Sequence, residues 1–265
     1  MVISGQEIHL WYAYFENIDD PRLLSQYYNL LNSEERSRWG RFKFEKDRHQ
    51  YLVTRAMVRY VLSQYQSEIY CEEWNFKTNR YGKPYITNHS IDISLHFNVS
   101  HTKELVVMAV TINREIGIDA EYLPRAGRML DIAGSFFSPL EIEQLNELPK
   151  DDQRDRFVDL WTLKEAYIKA CGKGLAIPLD DFSISISRQG KISICFNQNI
   201  NDQAEYWRFW QNQPTDSHKV SVAIKSGNIN ENYSVLMRNT IPLLDIVEIE
   251  YPIKQGYILR NIQRS

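Results

Sequence analysis

The chain has 265 residues, with 31 Lys plus Arg against 34 Asp plus Glu and a formal net charge of -3. No global basic field therefore argues for nucleic acid as a partner, and any anion site must be built locally. A composition of 43% hydrophobic and 25% charged residues excludes a mainly disordered chain and suits one or two packed cores.

Residues 7–15 are β-prone and partly alternating, which predicts a strand. Across residues 33–62 a polar start leads into helical spacing. From about Asp47, Tyr51, Val53, Ala56, Met57, Tyr60 and Val61 share a stripe, with Arg48, Arg55 and Arg59 expected elsewhere on the helix surface. Residues 77–84 are turn-rich, and Gly82 suits a positive φ there. Residues 106–112 and 115–121 read as two strands joined in a short hairpin by Asn113-Arg114. Ser138, Pro139 and Glu141 form a helix start, and a longer helix is expected over residues 152–170, closed by Gly172. Strands follow at 182–186, 191–196, 205–211 and 219–225, with Gln189-Gly190 as a hairpin turn.

The step from Ser33-Glu34-Glu35 to Arg55–Arg59 resembles that from Ser138–Glu141 to Glu165–Lys169. A duplicated α/β unit explains the likeness; the alternative is two amphipathic helices sharing composition by default. The expected fold class is α+β, with two similar α/β halves at residues 1–115 and 116–227 and a C-terminal extension at 228–265. Cys71, Cys171 and Cys195 are far apart, with no zinc or disulfide spacing, and no apolar run nears the roughly 20 residues of a membrane span. The expected setting is the cytoplasm, without a membrane partner.

Asp119 and Glu121, two apart at the end of a predicted strand, face the same way and repel unless a cation or base stands between them. Alone they also read as solvated acids at a strand end. Glu165 and Lys169, four apart on a predicted helix, can address one ligand together or form an ordinary surface ion pair. Asn98-Val99-Ser100-His101 is expected in a loop just before a strand, where a hydroxyl and an imidazole could meet phosphate oxygens. Arg80-Tyr81-Gly82-Lys83-Pro84 is a basic turn that could grip a phosphate or simply face solvent.

In this order, Gly82-Lys83-Pro84, Asn98-Val99-Ser100-His101, Ile116-Gly117-Ile118-Asp119-Ala120-Glu121, Trp161-Thr162-Leu163-Lys164-Glu165-Ala166 through Lys169, and Gly172-Lys173-Gly174-Leu175 resemble the 4'-phosphopantetheinyl transferases. The likeness is to the long, monomeric, surfactin-synthetase-activating type, with two α/β halves in one pseudo-dimeric molecule, and it spans about residues 30–225. It implies transfer of phosphopantetheine from coenzyme A to a serine of an apo carrier protein. It further implies Mg²⁺ on Asp119, Glu121 and Glu165, with Glu165 and Lys169 acting in catalysis and Lys169 on the pyrophosphate. Ser100 and His101 would meet the nucleotide phosphates, and Arg38, Arg80 and Lys83 the 3'-phosphate side. Trp161 is expected to pack, and Phe136-Phe137 either contact the carrier or belong to the core. The same carboxylates could instead orient water in a coenzyme A phosphohydrolase, or the chain could bind coenzyme A or carrier without turnover.

Overall fold

The computed structural model describes residues 1–88, 93–124 and 130–256. The chain divides into two compact units. One holds residues 1–115 and 232–250, and the other holds residues 116–231 and the end of the chain from 251. Among the described residues no helix is long and apolar enough to cross a membrane.

The first unit starts with β1 (Glu7–Tyr14) and three helices, α1 (Pro21–Leu30), α2 (Ser33–Gly40) and α3 (Glu45–Ser63). A small hairpin of β2 (Phe76–Thr78) and β3 (Pro84–Ile86) follows, then β4 (Leu95–His101) and β5 (Leu105–Ile112). Trp11 and Ala13 of β1 stand opposite Met108 and Val106 of β5. They are buried with Leu95 and Phe97 of β4 and with Val53, Ala56 and Met57 of α3. Each Val, Leu, Phe or Met among them contributes about 1.5–3 kcal/mol on burial.

The second unit repeats that plan. β6 (Ile116–Tyr122) leads to α4 (Pro139–Asn146) and the long α5 (Lys150–Cys171), then the hairpin β7 (Phe182–Ile186) and β8 (Ile192–Phe196), then β9 (Trp207–Thr215) and β10 (His218–Lys225). In both units the first strand pairs with the last of this series, giving β1-β5-β4 in one and β6-β10-β9 in the other. Gly172 ends α5 at φ 64°, the left-handed conformation a glycine takes without strain.

Both units also carry the same joint ahead of their long helix. Asn32 and Glu35 form a capping box on α2, and Ser138 and Glu141 form one on α4. Glu35 binds Arg59 at 2.6 Å and also Arg55, while Glu141 binds Lys164. Arg59, expected on the surface, is fully buried, with its two terminal guanidinium nitrogens donating to Glu35 and to the carbonyls of Cys71 and Trp74.

Two further expectations are corrected. β5 and β6 do not form a hairpin across Asn113-Arg114: both edges of β5 are taken by β1 and β4, and β6 pairs with β10 in another sheet. Asn98–His101 lie in β4 rather than in a loop, paired residue by residue with β5. Leu95, Phe97 and Val99 supply the alternating apolar face, and the polar residues between them mask the strand in the sequence. From residue 234 the described chain adds further strands. β11 (Ser234–Ile241) pairs parallel with β1, β12 (Asp245–Ile249) pairs with β11, and β13 (Ile253–Gly256) pairs with β9 of the second unit.

Candidate active site

β6 and α5 assemble a charged cluster inside the second unit. Alternation puts Gly117, Asp119 and Glu121 on one face of β6. A Cβ on Gly117 would overlap the backbone oxygen of Ala166 and the backbone nitrogen of Ala170, so this face meets α5 at backbone contact. Ala166 and Ala170 keep that side of the helix low. Glu165 and Lys169 stand beside them, and the Lys169 ammonium reaches Asp119 Oδ1 at 2.6 Å.

Burial and the Asp119 charge push the Glu121 carboxyl up to about 7, against the pull of Lys169 and of a hydrogen bond from the Trp161 side chain. The same two causes, burial and Asp119, raise Glu165. Trp161 therefore does more than the packing expected of it. It also stacks on Phe157 and meets Phe136 edge-on at 5.5 Å. Phe137 is 3% exposed and packs on Phe157, so Phe137 is core, and the partly buried Phe136 lies against that core.

α5 is fixed by Lys164, which is fully buried. Its ammonium donates to Glu141 Oε1 at 2.8 Å and Oε2 at 2.6 Å and to the Phe182 carbonyl at 2.7 Å. Glu141 also accepts from the Ile184 and Ser138 N–H groups. Burial lowers the Lys164 pKa against the pull of Glu141. The residue beside Glu165 is thus a structural anchor that sequence reasoning left without a role. The signal was the capping-box acid Glu141, which need not be solvated. Beside Asp119, Thr162 and Ser221 share a 2.7 Å hydrogen bond, and the Gln211 amide donates to Ser221 at 3.0 Å.

The remaining site candidates all belong to the first unit. Arg38 is exposed in the last turn of α2, with its guanidinium 5.6 Å from the Tyr51 ring centroid. Arg80 is exposed and lies over Tyr81, and Gly82 has the positive φ its turn requires. Lys83 forms a 2.5 Å ion pair with Glu115. Hydrogen bonding by His96 and then by Lys83 pulls the Glu115 carboxyl down to about 2. Ser100 is buried within β4, and His101 is exposed at its end.

Among the described residues no three His, Cys, Asp or Glu side chains form a ready-made metal cage. The Lys169 ammonium sits on Asp119. The donor set still fits a hard divalent ion: three half-buried or buried carboxyls, two of them with raised affinity for protons, are hard oxygen donors with charge to be neutralised.

Residues 115–223 match the model of the 4'-phosphopantetheinyl transferase superfamily, and residues 20–113 match that of the 4'-phosphopantetheinyl transferase N-terminal region. The chain is 37% identical over 169 residues to the 4'-phosphopantetheinyl transferase Sfp of Bacillus subtilis (strain 168), covering 64% of this chain and 72% of that one. It is 31% identical over 227 residues to the 4'-phosphopantetheinyl transferase HetI of Nostoc sp., covering 84% and 90%. A solved holo-(acyl-carrier-protein) synthase from Bacillus anthracis str. Ames, in complex with CoA (3',5'-ADP), aligns with 43% of this chain and 96% of its own, at 21% identity and a TM-score of 0.36.

Proposed function

Because the chain belongs to the 4'-phosphopantetheinyl transferase superfamily, in its long form, we propose that it moves the phosphopantetheine arm of coenzyme A onto a serine of an apo carrier protein. The products are holo carrier protein and adenosine 3',5'-bisphosphate. The observation that carries the reading is the convergence of Asp119, Glu121, Glu165 and Lys169 where β6 meets α5 at backbone contact.

Asp119, Glu121 and Glu165 are the residues that would hold Mg²⁺, which when bound offsets the charge of the pyrophosphate and of the carboxylates. The serine Oγ forms a bond to the β-phosphorus as the bond from that phosphorus to the oxygen bridging to the α-phosphate breaks. Glu165 takes the hydroxyl proton; its raised proton affinity suits a general base better than an ordinary glutamate. Lys169 offers its ammonium to the pyrophosphate, where charge develops on the leaving group. Arg38, Arg80, Lys83, Ser100 and His101 supply donors to the nucleotide phosphates, and Lys83 gives up Glu115 to do so. The thiols of Cys71, Cys171 and Cys195, which form no disulfide, support a reducing cytoplasm as the site of action.

The test is intact mass spectrometry of an apo carrier protein incubated with this enzyme, coenzyme A and Mg²⁺. A gain of roughly 340 Da, the mass of one arm on a serine hydroxyl, that disappears with EDTA is the expected result. Unmodified carrier across several substrates, with coenzyme A hydrolysed or untouched, refutes the transferase reading.

A further inference from the structure

Across the β6–β10 ladder, Glu121 stands directly opposite Lys219, as Asp119 stands opposite Ser221. Directly opposed residues of an antiparallel pair share a face with Cβ atoms about 4.5–5.5 Å apart, and opposite charges there pair by default. This pair does not form. The Lys219 ammonium lies 2.7 Å from Asp159 Oδ1 on α5, and both side chains are buried, at 7% and 6% exposure. Lys254 of β13 approaches the other oxygen of Asp159 at 3.4 Å. Resting on the reading of Asp119, Glu121 and Glu165 as a cation site, we propose that Asp159 is a positioning residue that holds the Lys219 ammonium away from Glu121.

The consequence is electrostatic. A lysine buried to this extent needs an anionic partner. With Asp159 neutralised, the carboxylate directly opposed to Lys219 on the same face, within reach of its flexible four-carbon stem, is Glu121. An internal salt bridge would then occupy an oxygen donor and cancel charge that a divalent ion must otherwise meet. The Asp159 carboxylate meets Lys219 and Lys254, and it acts on Glu121 through Lys219. The hydrogen bond from the Gln211 amide to the Asp159 carbonyl, at 3.1 Å, ties the backbone at this position to the network beside Asp119.

The experiment is Mn²⁺ titration of the full chain saturated with coenzyme A, with unbound Mn²⁺ read by electron paramagnetic resonance, in wild type, Asp159→Asn, Asp159→Glu and Asp159→Asn/Lys219→Met. Asp159→Asn is expected to raise the Mn²⁺ Kd about tenfold, within the range of couplings between neighbouring charges. The double variant, with no ammonium left to move, is expected to return to within about twofold of wild type, and so is the charge-conserving Asp159→Glu. Wild-type affinity in folded Asp159→Asn, a loss that the double variant does not reverse, or a tenfold loss in Asp159→Glu overturns the proposal. Absence of Mn²⁺ binding by wild type overturns the cation reading itself, and this inference with it. Thermal melts of each variant separate loss of fold from loss of coupling, and Asp159→Glu keeps the test decisive if Asp159→Asn does not fold.

Discussion

Replacing Gly117 by alanine is expected to damage catalysis more than folding, because the added methyl points at backbone rather than at a side chain that could rotate away. It would overlap the Ala166 oxygen and the Ala170 nitrogen and lie 3.0 Å from the Ala170 Cα. Relief requires β6 and α5 to separate along the line that sets Asp119 and Glu121 against Glu165 and Lys169. Overpacking of this kind costs about 1–3 kcal/mol, which lowers the melting temperature by about 2–4 °C per kcal/mol in a chain of 150–250 residues or more. A misplacement of about 1 Å in reacting groups costs about 10²-fold in rate. The assays are a thermal melt and kcat/KM with a carrier substrate. A Gly117→Ala protein with wild-type melting and wild-type turnover would refute the claim that backbone contact at this glycine sets the cluster.

Asp119→Ala is expected to abolish carrier modification while circular dichroism and melting stay close to wild type; retained turnover in the folded variant would sink the metal assignment. Lys164→Met leaves the buried Glu141 carboxylate without its cation, a loss of about 3–5 kcal/mol, and Glu141→Gln/Lys164→Met is expected to recover most of it in urea unfolding. Acid stability is expected to depend on His9, which is 2% exposed and accepts or donates at Nδ1 to the Tyr65 hydroxyl at 2.7 Å. Burial, followed by the Arg238 charge, lowers its pKa from 6.5 to about 4. The folded state therefore prefers neutral His9, so its contribution is complete above pH 6.5 and is lost as pH falls toward 4. The urea midpoint of His9→Gln, followed over that window, should fall less steeply than that of wild type; parallel curves would dismiss His9 as the titrating group.

What the sequence made legible follows the length scale of the signal. Local periodicity and caps located the long helix with Glu165 and Lys169, its Gly172 stop, the Ser138–Glu141 start and the β7–β8 hairpin. Two-residue alternation correctly put Asp119 and Glu121 on one face of β6. Strand partnership was beyond such signals: Asn113-Arg114 reads as a hairpin turn, but whether β5 has an open edge depends on β1, almost a hundred residues away. Burial of charge was equally hidden. Arg59 and Lys164 look like surface residues of amphipathic helices until Glu35 and Glu141 are placed against them. The partners of the tail were hidden because β11 and β12 add to a sheet edge formed at the start of the chain.

The repeated plan of the two units explains why only one carries the acidic cluster. Both set a capping-box acid against a buried cation on the long helix, Glu35 to Arg59 and Glu141 to Lys164. Counting from those cations, the next residue is Tyr60 in the first unit and Glu165 in the second, and the fifth is Gln64 against Lys169. The first strands differ in the same sense, since β1 after Glu7 reads Ile-His-Leu-Trp-Tyr-Ala-Tyr while β6 carries Asp119 and Glu121. Scaffold residues that hold the helix are thus shared, whereas carboxylates that repel one another are confined to one copy. Like charges at close range raise each other's proton affinity and destabilise the fold unless a ligand offsets them. An acidic cluster in both units would double that cost, so the uncharged counterparts in the first unit leave its strand and helix to serve packing alone.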